Sequence, residues 1–197
     1  MQTTSLTLEE IVFPKAGNDV LALIRGAALA ISLALITGVA ANVKIEAGFV
    51  PVTLQTLVVL MSGILFGSRI GASSQATYLF AGLAGVPWFS RGGGAGYLFS
   101  PTFGYIIGFV AAAYAVGFLA ERGWDKTIGR ALGAMTVGTA IIYFFGLIWL
   151  AKFAPFGSLL AVGVYPFLAG DFLKITIAGL VLPQCWKYIG DRRRFEV

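Results

Sequence analysis

The strongest constraint on this chain is the length of its stretches without charge. No Asp, Glu, Lys or Arg occurs over residues 47–68, 70–90, 92–120 or 131–151, and residues 165–186 are interrupted only by Asp171 and Lys174. A helix that crosses a bilayer needs about 20 mostly apolar residues, and each of these runs is of that order. Residues 21–41, apolar after Arg25, make a sixth. The chain is only 12% charged, about half of what a soluble domain carries. A large core cannot account for the deficit, because a fold of 197 residues still leaves roughly 30% of the unfolded chain's surface exposed. The expectation is an all-α membrane protein with six transmembrane helices.

Charge orients the spans. With both termini inside, Lys15, Arg25, Arg69, Arg122, Lys126, Arg130, Lys187 and Arg192–Arg194 face the cytoplasm, and only Lys44, Arg91 and Lys152 lie outside. The positive-inside bias therefore favours N-in, C-in. It also accounts for the net charge of +5 through anionic lipid, without invoking nucleic acid. The expected organisation is a cytoplasmic segment at 1–19, a six-helix transmembrane domain at 20–190 and a basic tail at 191–197. The N-terminal segment holds Glu9, Glu10, Lys15 and Asp19, unlike a signal peptide.

One stretch breaks the pattern. "AGVPWFSRGGGAGYLFSPTFGY" (84–105) is apolar but rich in Gly, with Pro87 and Pro101. It predicts a long glycine-rich loop between helices 3 and 4 on the outer side, shielded by protein. The next helix should start near Thr102.

Several chemistries are excluded. The chain has no His and a single Cys, Cys185. This removes Ser-His and Cys-His dyads, intramolecular disulfides and the commonest metal ligands. No phosphate-binding glycine loop is present, and no ladder of acids crosses the spans. The expectation is a non-enzyme with no metal and no cofactor, whose energy comes from a partner or a gradient.

What remains is a set of polar residues in apolar surroundings. Asp171 and Lys174, three apart, share a helix face. Charges at that depth cost about 2.5–3.5 kcal/mol each on insertion scales. Two readings stand: a mutually neutralising pair that locks helix packing, or one face of a polar pocket for a charged ligand. Arg91 is either a headgroup contact or folded over that pocket, where with Lys174 it would suit a carboxylate. Gln55 is a buried amide that either meets a ligand or bonds another helix. Trp88 and Phe89, with Tyr97 and Phe99, could wall a pocket or sit in an interfacial belt. Gly26, Ala30, Ala34 and Gly38 recur every four residues, a stripe that admits a close helix neighbour, either internal or on another protein.

Four stretches carry a resemblance. "VPVTLQTLVVLMSGILFGSRIG", "YLFAGLAGVPWFSRGGG", "SPTFGYIIGFVAA" and "PFLAGDFLK", in this order, resemble the signatures of the BioY family, the biotin-binding S components of energy-coupling-factor transporters. The likeness runs from about residue 21 to 190. It departs at Ser100 and Phe103, where the family usually has Gly, and at Arg91, where small residues are common. The resemblance implies biotin as ligand. Asp171 would accept from the ureido N–H groups, and Lys174, with Arg91, would hold the carboxylate or the ureido carbonyl. Gln55 and Tyr78 would add polar contacts, and Trp88 and Phe89 would cover the ring. It further implies a bacterial plasma-membrane location, a membrane-embedded coupling (T) component and two cytoplasmic ATPases. The stripe at Gly26, Ala30, Ala34 and Gly38 resembles the surface offered to the T component. An S component for thiamin or riboflavin, and a ligand-free membrane scaffold, are the alternatives. Self-association stays open.

Overall fold

The computed structural model describes residues 19–195; at Cys185 and from Lys187 onward it describes the backbone alone. The first helix, α1 (Asp19–Asn42), leads into a two-stranded antiparallel ribbon, β1 (Lys44–Ile45) and β2 (Val52–Thr53), with Lys44 opposite Thr53. Then come α2 (Gln55–Leu83), a loop with a 3-10 turn at Ala95–Phe99, and α3 (Phe103–Ala120). The chain continues as α4 (Ile128–Leu150), a second 3-10 turn, the short α5 (Leu159–Gly163) and the long α6 (Tyr165–Phe195). Among the described residues, five helical segments are long and apolar enough to cross a membrane: α1, α2, α3, α4 and Phe156–Gln184. The segment expected at 1–19 falls, up to residue 18, outside the described residues, as do residues 196–197 of the tail.

α2 is not one rod. A straight helix would separate residues 55 and 78 by about 34 Å, yet the Gln55 amide donates to the Tyr78 hydroxyl at 2.8 Å. The chain reverses at Gly67, whose φ of 79° and ψ of 175° are open to glycine and strained for other residues. Two arms, residues 55–66 and 68–83, therefore pack antiparallel. A ladder of polar contacts joins them, since Gln75 Nε2 also reaches Ser62 Oγ at 3.3 Å. The bend is pinned to the end of α3, where Glu121 accepts from the Ser68 backbone N–H and hydroxyl, both at 2.7 Å.

α3 occupies the centre because its sequence leaves room for neighbours. Gly104, Gly108, Ala112, Val116 and Ala120 step down one face by fours, and all are buried. A Cβ on Gly117 would lie 2.3 Å from the Ser68 nitrogen, so the α2 bend meets α3 backbone to backbone. In lipid, where apolar burial between helices gains little, such close contact is what holds helices together. The opposite faces of α1 and α6 are apolar and exposed, including Leu23, Val39, Phe172 and Leu173. Those positions suit acyl chains.

The structure refines the expected elements. α3 begins at Phe103 after Thr102 and α6 begins at Tyr165, both as anticipated. The short ribbon was not anticipated in an all-helical fold. It forms because Gly48, at φ 81°, and Pro51 deny residues 43–54 a helix.

Candidate functional site: a cleft under the loop end

The ribbon, the glycine-rich loop and the starts of α2, α3 and α6 meet at one end of the bundle. Between them lies a narrow cleft, partly open to solvent, with a cavity volume of about 40 Å³. Its apolar wall comes from Ile106 and Phe109 of α3, Ile142 of α4 and Phe167 of α6, with Val50 from the ribbon side. Its polar groups come from Thr53, Gln55, Thr56, Ser90, Tyr97, Thr102, Tyr143, Asp171 and Lys174. An apolar body with a few convergent polar groups is the usual make-up of a site that both buries and orients a ligand.

The deep wall is a closed polar cluster. Asp171 lies six residues into α6, about 9 Å along the helix. Its Oδ1 accepts from Lys174 Nζ at 3.0 Å and from Thr56 Oγ1 at 3.1 Å. Its Oδ2 accepts from the Tyr143 hydroxyl of α4. Lys174 Nζ also donates to the Thr53 carbonyl and to Thr56 Oγ1, both at 2.8 Å. All three ammonium donors are therefore placed. An ionised carboxylate accepts about four hydrogen bonds, so one position on Oδ2 stays available. Three separate elements thus hold a buried anion and a buried cation in register.

The shallow wall is uncharged. Ser100 Oγ lies 2.8 Å from Thr102 Oγ1, Thr102 Oγ1 donates to the Tyr97 hydroxyl at 3.0 Å, and Ser90 Oγ lies 3.1 Å from the same hydroxyl. Above it, Glu46 of the ribbon turn bridges Lys44 at 3.0 Å and Arg91 at 2.7 Å. Arg91 donates in addition to the carbonyls of Gly48 at 2.8 Å and Phe49 at 3.3 Å. The Arg91 guanidinium, and then Lys44, hold the Glu46 carboxyl below the usual carboxylate range. The ribbon and the loop are thereby tied together over the mouth.

Comparison with known proteins agrees with this architecture. The chain matches the BioY family over residues 10–191. The chain belongs to the BioY family. It is 33% identical over 172 residues to the probable biotin transporter BioY of Lysinibacillus sphaericus, covering 83% of this chain and 88% of that protein. It is 35% identical over 163 residues to the biotin transporter BioY of Rhizobium etli, covering 77% and 87%. The fold is that of a solved S component for biotin from an ECF-type ABC transporter, with a TM-score of 0.71 at 22% identity, over 87% of this chain and 95% of that one.

In this BioY chain the sequence candidates fall into three groups. Asp171, Lys174 and Gln55 line the cleft together. Tyr78, Trp88 and Phe89 do not; they anchor the loop behind it. The Trp88 indole donates to the Tyr78 carbonyl at 2.9 Å, the Tyr78 hydroxyl donates to the Trp88 carbonyl at 3.1 Å, and Phe89 packs 4.4 Å from Tyr97, centroid to centroid. Arg91 stays outside the cleft, held by Glu46 and two carbonyls. It lies over the mouth of the cleft without lining it. The stripe packs largely within the chain. Ala30, Ala34 and Gly38 are buried within the chain, and a Cβ on Gly38 would come within 2.9 Å of Trp88 Cβ. Only Gly26 has open space around it. Gly38 receives the loop at Trp88, a contact within the chain. Sequence reasoning missed Tyr143, Thr56 and the hydroxyls of Ser90 and Thr102. The threonine was visible in "VTLQT", whereas Tyr143 lies in an apolar span with nothing local to mark it.

Proposed function

We propose that this chain captures biotin at the outer face of a bacterial plasma membrane, as the substrate-binding S component of an ECF-type transporter. The observation that carries the reading is the Asp171–Lys174–Thr56–Tyr143 cluster lining a cleft, in a chain whose family relatives are named biotin transporters. A urea-like head offers two N–H donors and a carbonyl, which suits a carboxylate with a free acceptor position beside a buried amide. The apolar wall of Ile106, Phe109, Ile142 and Phe167 suits a thioether ring and an alkyl tail. A cationic vitamin such as thiamin has less to gain, because the carboxylate is already matched by Lys174.

The two arms of α2 count as separate crossings on this reading, making six, with both termini inside and the cleft outside. The chain hydrolyses nothing and needs no cofactor of its own. A T component and two cytoplasmic ATPases would drive release. The exposed faces of the helices, not the buried stripe, are then the surfaces left for the T component.

The test is calorimetric titration of the detergent-solubilised chain with biotin, with thiamin as control. Saturable one-site binding of biotin alone is expected. A folded sample that binds neither ligand would leave the charged cluster a packing device.

A further inference from the structure

The cleft has a charged end and an uncharged end, and proton counting at the uncharged end leaves one donor over. Ser90, Tyr97, Ser100 and Thr102 each carry one hydroxyl proton. Thr102 gives its proton to the Tyr97 oxygen. The Ser100–Thr102 contact must then use the proton of Ser100. The Ser90–Tyr97 contact uses one of the two protons that remain. The last proton sits on Ser90 or Tyr97, and both residues line the cleft. Hydroxyls linked in this way polarise one another, so the terminal donor is stronger than an isolated one. All three residues at this end of the relay are more than nine-tenths buried, with Ser90 at 8%, Tyr97 at 7% and Thr102 at 5% exposure.

No cation competes for the same role. Lys174 is the one cation lining the cleft among the described residues, and its donors go to Thr53, Thr56 and Asp171. Arg91 is bound to Glu46, Gly48 and Phe49. Lys44 is bound to Glu46 and to the Ser90 carbonyl. We propose that the tail oxygen of the ligand is received by the neutral hydroxyl relay Ser100–Thr102–Tyr97–Ser90, and not by a basic side chain. This rests on the biotin reading and adds to it a subsite that recognises an acceptor oxygen, charged or neutral. Lys44 and Arg91 outweigh Glu46 by one positive charge at the mouth, which draws anions toward the cleft without holding them inside it.

The relay and a cation make opposite demands on the ligand. A carboxamide keeps a carbonyl oxygen for an O–H donor but offers no charge to a cation. The experiment titrates the full chain in detergent with biotin, with its primary carboxamide and with the analogue whose tail ends in methyl. The proteins are wild type, the Tyr97→Phe/Ser90→Ala double variant and Arg91→Ala. In wild type the carboxamide should bind within about threefold to tenfold of biotin, since a charged acceptor strengthens such a bond only about twofold. The methyl analogue should lose more than either. In the hydroxyl variant the preference for biotin over the methyl analogue should collapse, while in Arg91→Ala it should persist. A wild-type carboxamide as weak as the methyl analogue overturns the relay; that result needs no variant to fold. So does a preference that collapses in Arg91→Ala and survives in the hydroxyl variant. Failure of wild type to bind biotin at all overturns the biotin reading and the relay together, and is distinct from either result.

Discussion

Replacing Lys174 with Met tests whether the deep cluster is held by charge. Lys174 and Asp171 keep only 13% and 6% of their side chains exposed, so water screens the pair little. For a surface pair the expected effect would be about 0–1 kcal/mol. Removing one partner of a buried pair costs about 3–5 kcal/mol, because the other charge is left uncompensated. In Lys174→Met the Asp171 carboxylate keeps Thr56 and Tyr143 as donors but loses its only cation, and the Thr53 carbonyl loses a donor. The double variant Asp171→Asn/Lys174→Met is neutral at both positions. Its remaining penalty is that of unmade neutral hydrogen bonds, about 1–3 kcal/mol, so adding the second substitution should restore about 2 kcal/mol. Reversible unfolding in mixed micelles, followed by tryptophan emission, measures both variants. The same samples titrated with biotin should show binding lost in each. A single variant that costs under about 1 kcal/mol, or a double variant no more stable than the single, refutes the electrostatic account. A double variant that binds biotin like wild type refutes the placement of the ligand.

Asp125, in the turn between α3 and α4, is buried with Oδ1 unpartnered, and its Oδ2 accepts from the Trp186 indole at 2.6 Å. Burial raises its pKa, outweighing the Trp186 bond. Folding then favours the protonated form, so this group's contribution to stability falls as pH rises from about 4 through the raised value. Asp125→Asn should flatten that slope and raise the unfolding midpoint at neutral pH; a lowered midpoint there would refute it. Gly67→Ala forces a Cβ into a positive-φ, extended-ψ region kept almost wholly for glycine and should cost about 1–3 kcal/mol in the same unfolding assay, with an unchanged midpoint showing that the bend can adopt another geometry.

Much of the site was legible because membrane sequences make charge conspicuous. Asp171 and Lys174 stand out in an apolar run, and their spacing alone puts them on one face. Gln55 stands out for the same reason. The break between the expected spans 47–68 and 70–90, drawn at Arg69, falls two residues from the bend at Gly67. What stayed hidden involves partners distant in sequence or unremarkable in type. Tyr143 reaches Asp171 across 28 positions from a span in which an aromatic is unexceptional. Ser90, Tyr97 and Thr102 become a relay only when the loop folds, and nothing in a glycine-rich stretch orders its hydroxyls. The partner of Arg91, Glu46, stands 45 positions away, with nothing local to mark it. The stripe on α1 was correctly seen as a close-contact face, but spacing cannot say whether the contact is a loop of the same chain or another protein.

The reversal at Gly67 bears on how the chain enters the bilayer during synthesis. Neither arm, 55–66 or 68–83, reaches the about 20 residues that a lone spanning segment needs, and each carries amides or hydroxyls that the other satisfies, Gln55 with Tyr78 and Ser62 with Gln75. The first arm, released alone into lipid, would leave the Gln55 amide without its Tyr78 acceptor, at a cost of several kcal/mol, whereas Ser62 would keep its bond to the Val59 carbonyl. The two arms are therefore bound to insert as one unit. The insertion machinery must then hold the first arm until Tyr78 has emerged and the hairpin has closed at Gly67.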